Sequence, residues 1–271
     1  MRRQLGWAAL LLLVLTLPVK AQRVQEVGVV DYYAAYSAAT AGLTERFDGY
    51  VKQFYANLED AGVPVEWVRP EIFLPEHKER RDGFKRLVIP FWTGWFTPEM
   101  YEGMADYVKS GGLLITQSAL LFVDANRNFV QDEVATTNLP QKSFLGVAGA
   151  ETALMRQVGA ISDTPLSRGM PKDVHLALRT PLYGRRARNF HAKVILEAEQ
   201  VYDGYSDIGP MLTAKNQGRG SAIYWNGWVE TFDDPRVAQM VKNIFSEETY
   251  EWLVVPEEVP PSRVPPRGKL R

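Results

Sequence analysis

The chain has 271 residues and a formal charge of −1, with 46% hydrophobic and 23% charged residues. Those are ordinary values for one large globular domain, and they exclude a disordered chain or a mini-protein held by staples. With no cysteine, thiolate catalysis, cysteine-ligated zinc and disulfide bracing are also excluded.

Arg2 and Arg3 precede an apolar run from Leu5 to Leu17, and Val19-Lys20-Ala21 has small residues where a signal peptidase reads. A charged start, a short apolar run and a small-residue exit predict a signal peptide over residues 1–21 and a secreted or periplasmic mature chain with no membrane span. Losing the three positive charges of Arg2, Arg3 and Lys20 would take the formal charge from −1 to −4. No basic surface for nucleic acid is expected.

The mature chain then alternates. Val27 to Tyr33 (VGVVDYY) reads as a first strand. Phe47, Tyr50, Val51, Phe54, Leu58 and Ala61 fall at helical spacing, with Gly62 as a stop, and Val63 to Val68 reads as a second strand. Phe84 to Leu120 forms the clearest unit. Leu87-Val88-Ile89 and Leu113 to Ile115 are short apolar runs suited to parallel strands buried on both faces. Between them Thr97-Pro98 can start a helix and Gly111-Gly112 can end it, with Met100, Met104, Tyr107 and Val108 on one side.

A strand, helix, strand crossover predicts an α/β fold with a doubly wound, mostly parallel sheet. Ligands of such sheets bind beyond the carboxyl ends of the strands. From Phe122 to Tyr205 the pattern is weaker: a short helix is expected at Ser143 to Leu145 and a strand at Ala192 to Ala198, while the basic, Pro- and Gly-containing stretch from Thr164 to Asn189 reads as loops. Met211 to Ala214 and Ser221 to Trp225, joined by a glycine-containing turn, predict a C-terminal hairpin. Pro235 opens an amphipathic helix carrying Val237, Met240, Val241, Ile244 and Phe245. The expected domain covers 22–252, and 253–271 is a proline-rich basic tail.

The ordered set DYYAAY, FDGYVKQFYANLEDAGVPVEWV, KRLVIPFW, YVKSGGLLITQSALLFVDANRNF and FLGV resembles class I glutamine amidotransferase-like domains. Within that group it is most similar to the trimerisation domain of bacterial family 42 β-galactosidases. The resemblance covers most of the mature chain and rests on the order and spacing of loose motifs. It implies a flavodoxin-like scaffold, and a homo-oligomer follows as an expectation. The glycosidase carboxylates of family 42 lie in a separate barrel, so the resemblance transfers none of them here.

The resemblance also locates where chemistry would be. Catalytic amidotransferases place a cysteine on a strand-to-helix turn and a histidine after a late strand. The matching turn here is Thr116-Gln117-Ser118-Ala119, and the late strand ends Tyr224-Trp225-Asn226-Gly227. Asparagine takes no proton near neutral pH, so base and nucleophile are both missing. Ser118 is the weak nucleophile candidate, lacking the small neighbours of a G-x-S-x-G elbow.

Asp124, Asn126, Asn128 and Asp132 are weak candidates for a calcium loop, since oxygen donors alternate. Phe129 and Ala135 stand where an EF-hand needs glycine and glutamate, which favours Asx turns instead. His77, His175 and His191 lack metal-ligand spacing. No metal or other cofactor is expected.

Aromatic residues crowd the expected strand ends: Tyr32 and Tyr33, then Phe91, Trp92, Trp95 and Phe96, then Trp225 and Trp228. Their convergence would make a surface for a sugar or a protein. The expected ligand-binding set is therefore Asp31, Trp92, Trp95, Gln117, Asp124, Asn126, Asn226 and Trp228. The expected function is a non-catalytic module that binds carbohydrate or protein, or assembles. The alternative is a hydrolase of a glycan, amide or ester using Ser118 or the Asp31 and Asp124 carboxylates.

Overall fold

A computed structural model describes residues 25–30, 44–90, 96–117, 122–123, 129–130, 144–172, 174–227 and 233–254. The long apolar runs become strands β1 (Gln25–Val30), β2 (Val65–Val68), β3 (Phe84–Ile89) and β4 (Leu113–Thr116). A separate two-stranded sheet pairs β5 (Phe122–Val123) with β6 (Phe129–Val130). The later strands are β7 (Val147–Ala160), β8 (Leu176–Asn189), β9 (Lys193–Tyr202), β10 (Tyr205–Gln217) and β11 (Gly220–Trp225).

Nine of these strands form one sheet in the order β2-β1-β3-β4-β11-β10-β9-β7-β8. From β2 to β11 every neighbouring pair is parallel. From β11 to β8 every pair is antiparallel. The sheet is thus mixed rather than mostly parallel, which corrects the expectation from sequence.

The cause is the stretch from 147 to 217, where the expected loops between Thr164 and Asn189 contain the 14-residue strand β8. Its arginines, Pro181 and Gly184 disguise a strand that lies at the rim of the sheet, where such residues are tolerated. β7 is also 14 residues long. Register shifts between Gly149 and Thr152 and between Met155 and Gln157 break the two-residue period that would reveal it. The helix expected at Ser143 to Leu145 falls partly outside the described residues.

Helices cover both faces. Helices α1 (Thr44–Asp60), α4 (Pro235–Ile244) and α5 (Glu247–Leu253) bury Phe54, Leu58, Val237, Met240, Val241, Ile244 and Leu253 against Val29, Val88, Ile115 and Trp225. On the other face α3 (Pro98–Lys109) and the 3-10 turn Pro70–Phe73 pack Met104, Tyr107, Val108, Ile72 and Phe73 against Leu87, Ile89, Leu114 and Tyr224. Between that turn and β3 lies α2 (Lys78–Asp82).

The local signals of α3 explain its ends. Thr97 Oγ1 accepts from Met100 N–H at 3.2 Å, and Gly111 closes the helix with φ +105°. Near the middle, Gly103 lets the backbone of α3 approach Phe73 O so closely that a Cβ there would sit 1.7 Å from that oxygen.

The antiparallel half curls. Gln200 of β9 is fully buried. Its Oε1 accepts from Ala187 N–H of β8 at 3.0 Å, and its Nε2 donates to Pro210 O of β10 at 3.4 Å. One side chain therefore joins two strands that are not neighbours in the sheet. Asp234, the N-cap of α4, ties that helix to the rim of the antiparallel half: it accepts from Arg236 N–H at 2.9 Å and from Arg179 N–H of β8 at 2.7 Å.

Candidate functional site

The carboxyl edge of the parallel strands is the place to look for chemistry in a sheet of this kind. Thr116 of β4 lies in register with Ile89 of β3 and Tyr224 of β11. Gln117 and Asn226 therefore follow the ends of adjacent strands, and the fold brings these two expected site residues to the same edge.

Both are fully buried. Gln117 N–H donates to Ile89 O at 3.0 Å, which extends the β3–β4 ladder by one residue. Asn226 is held on two sides by β10, its N–H donating to Met211 O at 2.7 Å and its Nδ2 to Pro210 O at 3.2 Å. Above it passes β8, where a Cβ on Gly184 would meet Asn226 Oδ1 at 2.6 Å. The antiparallel half thus roofs the end of β11, and the asparagine amide is spent on the sheet.

Of the aromatic residues expected to converge, Phe96 and Trp225 are described, and they do not. Trp225 is fully buried with its ring centroid 6.1 Å from that of Phe54. Phe96 is fully buried 6.0 Å from Phe73 in an edge-on contact. They belong to the cores on opposite faces of the sheet. Asp31, Trp92, Trp95, Ser118, Asp124, Asn126, Asn128, Asp132 and Trp228 lie outside the described residues.

On the face of Tyr224, a row of hydroxyl side chains crosses three strands, since Thr116 is in register with Tyr224 and Tyr224 with Thr213. All three are buried. Tyr101, from the first turn of α3, is buried over the same face and meets Phe144 edge-on at 5.6 Å. Sequence reasoning missed this row; the signal was present as threonine and tyrosine at the ends of otherwise aliphatic strands.

Among the described residues no group of three or more His, Asp or Glu side chains could hold a metal ion. None of the helices among them is long and apolar enough to cross a membrane. His77 and His191 are exposed and far apart in the chain.

No protein-family model matches the chain, and no curated protein does. Solved structures do match. A cold-adapted β-galactosidase from Rahnella sp. R3 superposes with a TM-score of 0.57 at 16% identity, covering 81% of this chain and 30% of that one. A GH42 β-galactosidase from G. stearothermophilus gives 0.54 at 18% identity, covering 80% and 28%. A ThuA-like protein from Bacteroides uniformis gives 0.55 at 12% identity, covering 84% and 94%. The likeness is one of fold. The chain spans under a third of the length of the β-galactosidases it matches, whereas it and the ThuA-like protein match over most of both chains.

Proposed function

We propose that this chain is an exported, non-catalytic recognition module built on a flavodoxin-like, amidotransferase-like scaffold, and that its ligand is a carbohydrate. The observation that carries the non-catalytic part is Asn226. At the position where the resemblance puts a general base, the chain has an amide that is fully buried, bonded to Pro210 O at 3.2 Å and roofed by β8. A buried amide already committed to a backbone carbonyl has no proton to exchange with a substrate.

The likeness in fold to β-galactosidase chains supports a carbohydrate context as an analogy between folds, to be tested as such. Assembly into a homo-oligomer is compatible with the same reading.

The test pairs two measurements on the purified chain. Binding to a glycan array together with no turnover of chromogenic glycosides, esters or amides is the expected result. Turnover that disappears in Ser118→Ala or Asp124→Asn would replace this reading with a hydrolase. Glycan binding that is unchanged in a Trp92→Ala, Trp95→Ala double variant would move the binding site away from the end of β3.

A further inference from the structure

β10 pairs with β11 only as far as Leu212, opposite Trp225. Residues 205–211 of β10 continue past the end of β11, by about 3.3 Å per residue. The β9–β10 hairpin therefore projects beyond the carboxyl edge, the side on which ligands of such sheets bind.

Its tip is built from few conformations. β9 ends at Tyr202 and β10 begins at Tyr205. The two residues between them, Asp203 and Gly204, have φ of +45° and +81°. A two-residue loop with both φ values positive matches the twist of its strands and fixes their register. Tyr202 faces Tyr205 across the hairpin.

A cluster of side chains sits on one face of this tip. The Arg186 guanidinium, delivered by β8, lies 4.0 Å from the centre of the Tyr202 ring. Its Nε and Nη2 each lie 3.4 Å from Asp207 Oδ2. The Tyr202 hydroxyl donates to the same Oδ2 at 3.2 Å. Beside them Tyr205 is 70% exposed, its ring centroid 6.3 Å from that of Tyr202.

We propose that Tyr205, Asp207 and Arg186 form a sugar-contact platform at the tip of the β9–β10 hairpin, a site that rests on the carbohydrate reading above but is separate from the strand-end residues. The exposed Tyr205 ring offers an apolar face to the C–H face of a pyranose. The three hydrogen bonds that reach Asp207 from the described residues fall on Oδ2, so among those residues Oδ1 is left to accept from a sugar hydroxyl. Arg186 and the Tyr202 hydroxyl hold that carboxylate before a ligand arrives, which lowers the ordering cost of binding.

The composition favours a sugar over a protein. A protein hot spot is a desolvated apolar pocket, whereas here a single exposed ring, that of Tyr205, stands among charged and hydroxylated groups. Ile208, the nearest exposed aliphatic side chain on β10, alternates to the opposite face.

The test uses the full chain on a glycan array, followed by calorimetric titration with the strongest array glycan. Tyr205→Ala should weaken apparent affinity about tenfold, the change made by ~1.4 kcal/mol. Tyr205→Phe should keep it, because the ring face remains. Asp207→Asn should weaken it as well, and the melting temperature of all three should match the parent. If glycan binding survives Tyr205→Ala and Asp207→Asn but is lost in Trp92→Ala, Trp95→Ala, the platform is overturned and the carbohydrate reading stands. An array with no bound glycan overturns both. Tyr205-dependent binding of a protein with a silent array would replace the platform with a protein interface.

Discussion

Gly103 sits inside α3, where alanine is ordinarily the better helix former by about 1 kcal/mol. Here the sign reverses. A Cβ would fall 1.7 Å from Phe73 O and 2.7 Å from Arg81 Nη1, both packed against the helix. Arg81 is itself buried and donates to that same carbonyl at 3.1 Å, so the methyl would displace a backbone atom and a bonded guanidinium together. Overpacking of this kind costs about 1–3 kcal/mol or more, which outweighs the propensity gain. Gly103→Ala should therefore lower the melting temperature by several degrees, roughly 2–4 °C per kcal/mol for a domain of this size. A thermal melt with an unchanged or raised midpoint would show that α3 can move away from Phe73 freely. The glycine was visible in the sequence, but the reason for it was not, because Phe73 is thirty positions away.

At the level of elements, the parts of the chain with strong punctuation were readable from sequence and the parts held by their neighbours were not. α3 announces both ends through Thr97-Pro98 and Gly111-Gly112, and its buried residues Met104, Tyr107 and Val108 lie on the face that their spacing predicts. β7 and β8 announce nothing. Their residues are small, cationic or interrupted by bulges, and they are strands because β9 supplies a partner for β7 and β7 in turn supplies one for β8. The site was legible to the same uneven degree. Gln117 and Asn226 were found through the order of motifs, whereas Arg186, Tyr202 and Asp207 come from three strands whose register no local pattern encodes.

Gln200 gives an element-scale prediction. Gln200→Leu keeps the volume but leaves Ala187 N–H and Pro210 O without the amide that bridges them. A buried group left unsatisfied costs about 1–3 kcal/mol. Hydrogen exchange at Ala187 should accelerate in the variant while α3 amides stay protected. Equal acceleration throughout would mean that the bridge contributes to global rather than local stability.

For the whole molecule, the contact between α4 and the outermost strand β8 contributes to the response to acid. Burial alone would raise the Asp234 pKa. The Arg236 guanidinium, the N–H groups of Arg179 and Arg236, and the Arg236 charge outweigh it and hold the pKa at about 2, against 3.8 for an ordinary aspartate. A depressed carboxylate pKa stabilises the fold above the unfolded value, and that stabilisation fades as pH falls from about 4 through about 2. At about 1.4 kcal/mol per unit, the contribution is on the order of 2 kcal/mol. The difference in urea midpoint between the parent and Asp234→Asn should thus be full at pH 7 and shrink below pH 4. A difference that stays constant to pH 2 would count against it. Because Asp234 caps α4 and also binds β8, this loss loosens the helix start and the outermost strand at once.

The outermost strand has a consequence for how copies of the chain meet. β8 lies at one end of the sheet, yet Pro181 has no amide hydrogen to offer and the Arg179 amide is already taken by Asp234. Arg179 and Arg188 add like charge along the same 14 residues. A second molecule arriving side by side would find gaps in the ladder and repulsion along it. The rim therefore works against stacking into fibrils, and it leaves the projecting hairpin free for an encounter of a different kind.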